Sequence, residues 1–210
     1  YIRSSLKPFQ AAASVHAGAV DAAGFSMDEL ALMCASHNGE EIHVNTAKGM
    51  AKKLKLDASD YECGYHAPYD AEAREKARLF GLTPFHNNCS GKHSGMLALA
   101  KQLGAETENY ISYNHPVQKA IFKQLKKLTG NNKFSYGIDG CSAPSPFLSL
   151  IEIAQLFQTL VQDKFPELSV AYKAMVAHPY LVAGQNRFDS YFIVIIFNYY
   201  SFFSGKPIRD

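Results

Sequence analysis

No two of the four cysteines, Cys34, Cys63, Cys89 and Cys141, stand in C-x-x-C spacing. Together with the lack of an opening secretory signal, this points to a reducing, cytoplasmic setting with free or metal-bound thiols. Charge of one sign is also scarce. A net charge of +2 leaves no electrostatic footprint for nucleic acid. Lys52, Lys53 and Lys55, like Lys123, Lys126 and Lys127, read as solvated helix faces. Long hydrophobic runs are missing, so no membrane span is expected. The most apolar stretch, Tyr191 to Phe203, is too short to cross a bilayer and carries Asn198 and Ser201. Gly91-Lys92 is not a P-loop, because His86 stands at the first glycine and His93 at the Ser/Thr position. There is no H-E-x-x-H, no G-x-S-x-G, no dinucleotide glycine fingerprint and no internal repeat.

What is present fits a globular chain. Hydrophobic residues make up 47% and charged residues 19% of its 210 positions. A chain of this length buries roughly 70% of its unfolded surface, so its core needs no disulfides. It opens on Tyr1, and chemistry-bearing residues begin at Arg3. A preceding segment is therefore expected.

Helices dominate the pattern. Pro8 falls at the end of a first turn if a helix begins at Ser4 or Ser5. Ser26 and Glu29 have capping-box spacing, and Leu30 to Ala35 continues as that helix or as a buried strand. Ser36-His37-Asn38-Gly39 reads as a turn with exposed polar side chains. Val44, Ala47, Met50, Ala51 and Leu54 repeat at helical spacing, and a helix from Ala71 to Phe80 stops at Gly81. Another follows Lys92 and ends at Gly104. Asn114 is the expected N-cap of a helix whose stripe is Val117, Ile121, Leu125 and Leu128. Phe134 to Ile138 is a short strand candidate, Pro144 and Pro146 hold a loop, and helices follow near Phe147 to Val161 and Leu168 to Ala177. Tyr191 to Phe203 reads as a buried strand or an exposed, aggregation-prone segment.

Chemistry concentrates in four places. In Ser4-x-x-Lys7 a neutral lysine one helical turn away can take the serine proton, provided burial or a nearby positive charge lowers its pKa. The same spacing also occurs in exposed first-turn pairs. Ser36 ends an apolar run beside His37. Asn87-Asn88-Cys89-Ser90-Gly91-Lys92-His93 sets a thiol, a hydroxyl, an amine and an imidazole at the mouth of a helix, where anions are well received. Ser90 reads as its cap and Lys92 as a base for a second serine. Cys89 and Cys141 sit in tight polar loops, as metal ligands, nucleophiles or buried structural thiols do.

Six segments in order resemble the rhizobial-type (thermolabile) L-asparaginase II family. They are Arg3-Ser4-Ser5-Leu6-Lys7-Pro8-Phe9-Gln10, Cys34 through Glu40, Cys63 through Pro68, Asn87 through His93, Asp139-Gly140-Cys141 with Pro144, and Ala177-His178-Pro179 through Arg187. The resemblance implies an α/β, serine β-lactamase-like fold, helices packed on an antiparallel sheet, incomplete at both ends. It covers residues 1–190, with 191–210 an atypical aromatic tail. It implies hydrolysis of L-asparagine to L-aspartate and ammonia by a Ser-Lys acyl-enzyme mechanism. The implied catalytic residues are Ser4 with Lys7 and Ser36 with Lys92, either serine being the nucleophile. Arg3, His93 and Asp139 would surround the substrate, and Cys89, Lys92 and Cys141 would hold zinc. The implied partner is this small molecule, and a homodimer is compatible. Two alternatives stand beside it: a truncated, inactive fragment, and a related serine amidohydrolase acting on glutamine or a lactam.

Overall fold

In the computed structural model of the protein, residues 1–204 are described, with side chains through Ile196. Gly205 and Lys206, and the side chains of Asn198 and Ser201, lie outside that description. A 3₁₀ turn (Arg3–Leu6) opens directly into α1 (Lys7–His16), followed by α2 (Ala19–Ala22), α3 (Met27–Met33), α4 (Glu41–Lys53) and α5 (Ala71–Phe80). Next come α6 (Ser90–Gln102), α7 (Pro116–Thr129) and the strands β1 (Tyr136–Ile138) and β2 (Pro144–Pro146). The chain continues through α8 (Leu150–Val161), α9 (Pro166–Ala177), α10 (Pro179–Val182) and α11 (Phe188–Ser204).

The helical stripes land as the spacing predicts. Val44, Ala47, Met50, Ala51 and Leu54 are buried, as are Val117, Ile121, Leu125 and Leu128. Burying each such Leu or Val side chain stabilises the fold by about 1.5–3 kcal/mol. Ser26 and Glu29 close the capping box of α3, which takes the helical alternative for Leu30 to Met33. Gly130 ends α7 in the left-handed conformation, where glycine carries no side-chain penalty. The N-cap of α7 is His115, not Asn114: the ring of His115 accepts the N–H of Val117. Asn and His compete for this role, and Pro116 fixes the residue before it as the extended cap.

Helix α6 is the centre of the molecule. It packs against α1, α2, α3, α4 and α7, while α9 covers α1 and α3. Eleven consecutive residues, Ser90 to Ala100, are buried. A helix buried all round needs small residues where neighbours come close. A Cβ on Gly91 would run into the backbone carbonyl of Leu32, and one on Gly95 would lie 2.5 Å from Met33 Cε. These glycines, one turn apart, let the end of α3 rest on α6.

The expected sheet layer is small. Among the described residues it consists of β1 and β2, antiparallel, with Tyr136 opposite Pro146 and Ile138 opposite Pro144. Pro144 and Pro146 lack the N–H groups that would extend the ladder, so β2 makes an edge. The helices therefore pack mainly on one another rather than on a sheet. The stretch from Tyr191 is helix, not strand, and α11 runs without a break across Ser190. Its side chains from Tyr191 to Ile196 include the exposed Tyr191, Phe192 and Ile195. No helix among the described residues is long and apolar enough to cross a membrane.

Candidate active site

The 3₁₀ turn presents Ser4 at the surface and hands the chain to α1, whose first residue, Lys7, is 1% exposed. Arg3 starts this turn at φ +53°, an uncommon conformation for a residue with a side chain. Ser36 lies just past α3, where its N–H is tied to the carbonyl of Val182 at 3.0 Å. The two serines meet: Ser4 Oγ donates to Ser36 Oγ at 3.2 Å. Asn88 Nδ2 donates to the same Ser36 oxygen at 3.0 Å. Beneath them the Lys7 amine donates to the carbonyls of Ala35 and Asn88. Burial pulls the Lys7 pKa below its ordinary value, against Cys89, whose charge works the other way. A buried amine held by neutral carbonyls is the form from which a lysine can accept a proton.

Lys92 is placed quite differently. Its ammonium is 3.0 Å from Asp139 Oδ2 and 2.7 Å from Cys141 Sγ. Burial favours the neutral form, but Cys141, Cys89 and Asp139 outweigh it and raise the Lys92 pKa. Asp139, pushed up by burial, is nonetheless held down at about 2, chiefly by Lys92. Its Oδ1 also accepts the N–H groups of Cys141 and Ala143. The expected pairing of Ser36 with Lys92 is not formed. Ser36 is engaged by Ser4 and Asn88, and Lys92 by Asp139 and Cys141, because the negative groups hold the ammonium on their own side.

A cavity of about 160 Å³ brings most of the anticipated residues together. Arg3, Ser4, Lys7, Cys89, Lys92, Asp139 and Cys141 all line it, joined by His66 and Tyr69. His93 does not. It is fully buried, and its Nδ1 lies 2.6 Å from the hydroxyl of Tyr110, which also takes the N–H of Glu62. His93 Nε2 has no hydrogen-bond partner. One residue away from Lys92 on a helix, the His93 side chain is turned about 100° around the axis.

Ser90 is not the helix cap. It is the first residue of α6, and its hydroxyl meets His37 Nε2 at 2.9 Å. Capping is supplied by Asn87, whose side chain accepts the Cys89 N–H at 2.9 Å and whose carbonyl accepts the Ser90 N–H. His37 Nδ1 accepts the Gly39 N–H, so its Nε2 carries the proton toward Ser90. The turn at 36–39 is thus buried rather than exposed: His37 is 0% and Asn38 5% accessible. Asn38 and Asn88, both passed over as site residues, do much of the positioning. Their only sequence signal is adjacency to Ser36 and Cys89.

Metal binding has a mixed basis. Among the described residues no group of three or more His, Cys, Asp and Glu side chains could hold a metal ion. Lys92 adds an amine to the two thiols of Cys89 and Cys141 on one cavity wall. Cys89 is drawn toward the thiolate by a hydrogen bond from Cys141 and by Lys7 and Lys92, while Cys141 is pushed the other way. Two sulfurs and the Lys92 nitrogen, once it has given up a proton, are donors that suit a zinc ion by chemistry.

A serine hydroxyl and a desolvated amine lining one cavity are groups suited to acyl transfer. The L-asparaginase II family model matches residues 1–196, and the chain belongs to that family. The match runs past Ser190, so residues 191–196 fall inside it. No curated protein matches the chain.

Proposed function

We propose that the protein hydrolyses L-asparagine to L-aspartate and ammonia through an acyl-serine, with Ser4 as nucleophile and Lys7 as its base. The observation that carries this reading is the 3.2 Å contact of Ser4 with Ser36, with Ser4 lining the same cavity as the buried Lys7 amine, which the carbonyls of Ala35 and Asn88 hold. As Ser4 Oγ forms its bond to the amide carbon, its proton passes to the Lys7 amine. The carbon–nitrogen bond then breaks, the proton goes to the departing nitrogen, and ammonia leaves. Water attacks the resulting ester with Lys7 again taking a proton; the bond between the acyl carbon and Ser4 Oγ breaks, Lys7 returns the proton to Oγ, and aspartate is released. Ser36, fixed by Asn88, orients the Ser4 hydroxyl. Arg3 and Asp139 face the reacting amide across the cavity. A zinc ion held by Cys89, Cys141 and Lys92 would supply positive charge beside Lys7 and favour its neutral form.

Family membership supports the reaction class, and the Ser-x-x-Lys at the head of a buried helix supports a serine β-lactamase-like ancestry for the helical body. The four free cysteines support a reducing, cytoplasmic location. A diazoketone analogue of asparagine tests the nucleophile. Mass spectrometry should find the adduct on the peptide carrying Ser4, and Ser4→Ala should abolish both adduct and ammonia release. Ammonia released at the full rate by Ser4→Ala would sink the mechanism. Glutamine and a chromogenic lactam run in parallel define the substrate range.

A second reading, a folded but inactive chain, is favoured by the outer face of α8. Leu150, Ile151 and Val161 are 84%, 71% and 60% exposed there, apolar surface of the kind a larger sheet layer covers. A native circular dichroism spectrum without ammonia release from asparagine distinguishes it.

A further inference from the structure

The serine pair stands between two cavities. Ser4 lines the one already described, whereas Ser36 lines a second, larger cleft of about 460 Å³ together with Asn38, Tyr69, Asp70, Gln185 and Arg187. None of the hydrogen-bond partners of Lys7 and Lys92 lines this cleft. Its walls come from three distant stretches of chain, and Asn38 joins all three. The Asn38 N–H donates to Ala183 O at 2.8 Å, and its carbonyl accepts the N–H groups of Tyr69 and Asp70 at 2.8 and 3.3 Å. Its side-chain nitrogen donates to Gln185 O at 3.0 Å, and its Oδ1 accepts Arg187 Nη1 at 2.8 Å. Glu40 adds a further tie by accepting the Gln185 N–H at 2.7 Å. Gly184 has φ +119°, and a Cβ there would collide with the Glu40 carboxylate. This strand of chain can approach Asn38 so closely only as glycine.

The opposite charges in the cleft are not paired with each other. Arg187 and Asp70 line it with opposite signs, yet no ion pair joins them among the described residues. The one ion pair of Arg187 among the described residues is a long contact of 3.7 Å to Asp189, whose side chain is 58% exposed. Its closer partner, Asn38, is neutral. Asp70 uses Oδ1 to cap α5 through the Ala73 N–H at 2.8 Å and makes no ion pair among the described residues. Both groups are anchored by a residue two positions from Ser36, so their spacing is set before anything binds.

We propose that this cleft receives the α-carboxylate and α-ammonium groups of an amino-acid substrate, Arg187 taking the first and Asp70 the second. The side-chain amide then points at Ser4 and Ser36, with its leaving nitrogen on the Lys7 side. The assignment rests on the amidohydrolase reading and adds the orientation of the substrate to it. It also makes Arg187 and Asp70 specificity-determining residues.

Steady-state ammonia release from L-asparagine and from 3-aminopropanamide, which lacks the α-carboxylate, tests Arg187. In Arg187→Gln the preference (ratio of kcat/KM) for asparagine over 3-aminopropanamide should fall about 10- to 100-fold, as for a lost charge-assisted hydrogen bond. Arg187→Lys should recover part of that preference. An unchanged preference overturns the assignment. Asp70→Asn keeps a good helix cap while removing the charge, so folding is preserved. That variant should lower the preference for asparagine over succinamic acid, which lacks the α-amine, and an unchanged ratio overturns the role of Asp70. If the wild-type chain releases no ammonia from any amide, the amidohydrolase reading fails, and calorimetric titration with L-asparagine decides the cleft alone. Binding by the wild type that is lost in Arg187→Gln supports it, whereas equal or absent binding in both rejects it.

Discussion

Lys7 and Lys92 are both almost fully withdrawn from water, at 1% and 4% exposure, and line the same cavity. Their surroundings differ. Lys7 is held by two backbone carbonyls, neutral groups that stabilise an ammonium only partly, so burial wins and its pKa falls. Lys92 has a carboxylate and a sulfur within 3.0 Å, and these win over the same burial. Burial alone therefore does not make a lysine a base. The sign of the shift is decided by whether an opposite charge is buried with it.

The comparison is broken most directly by removing each amine in turn. Lys7→Met should lower ammonia release by about 10²–10⁴-fold, the range for loss of a general base, with the protein still folded. Lys92→Met should act first on stability. It strands the Asp139 carboxylate in a mostly buried site, costing about 3–5 kcal/mol, which thermal unfolding will report. If Lys92→Met proves as stable as the wild type and Lys7→Met as active, the contrast between the two lysines is false.

Gly91→Ala sharpens the same contrast from the backbone side. The new methyl meets the Leu32 carbonyl, which lies between α6 and the segment leading to Ser36. We expect a loss of about 3 kcal/mol in denaturant unfolding, the upper end for overpacking, because backbone cannot step aside as a side chain can. A variant with wild-type stability would show that α3 and α6 are not in close contact.

The smallest effect concerns pH. His37 is buried next to the serine turn, and burial, reinforced by His43 and Lys7, depresses its pKa well below 6.5. An unfolded His37 binds its proton near 6.5 and the folded one does not. Its contribution to stability is therefore complete above 6.5 and is lost progressively as the pH falls below that value. His43, stacked on His37 with ring centroids 4.7 Å apart, is depressed for the same first reason and adds to the slope. Thermal unfolding across this window should show the decline, and His37→Gln should flatten it. A His37→Gln profile as steep as the wild type would assign the slope elsewhere.

Much of the helical body was legible in the chain because its stripes and caps are local. The α4 and α7 stripes, the Ser26–Glu29 box and the Gly130 stop depend on spacings of a few residues, which the helix converts directly into faces. Ser4, Lys7, Cys89, Lys92, Asp139 and Cys141 were likewise marked by composition and motif, and they do converge on one cavity. The misses share a different cause. Ser90 looked like a cap because caps are read from the adjacent backbone, whereas its real partner, His37, comes from 53 residues earlier. His93, which the resemblance sets beside the substrate, neighbours Lys92 in sequence, but a helix turns adjacent side chains about 100° apart, and His93 does not line the cavity that Lys92 lines. Asn38 looked like an exposed turn residue, since nothing near it announces the segments at 69–70 and 182–187 that it joins.

The sequence by itself determined most of the helices and marked side chains of the kinds that acyl-transfer chemistry uses. It also carried the family, through six short segments in order. Only the tertiary structure decided which lysine burial pushes toward its neutral form, which serine hydroxyls touch, and which arginine stands in the cleft beside them. The physical reason is range. Helix propensity and capping act over three or four residues, whereas a pKa depends on every charge and every removed water within several ångströms. At Lys7 and Lys92 even the hydrogen-bond partners come from stretches up to 81 and 49 residues away along the chain.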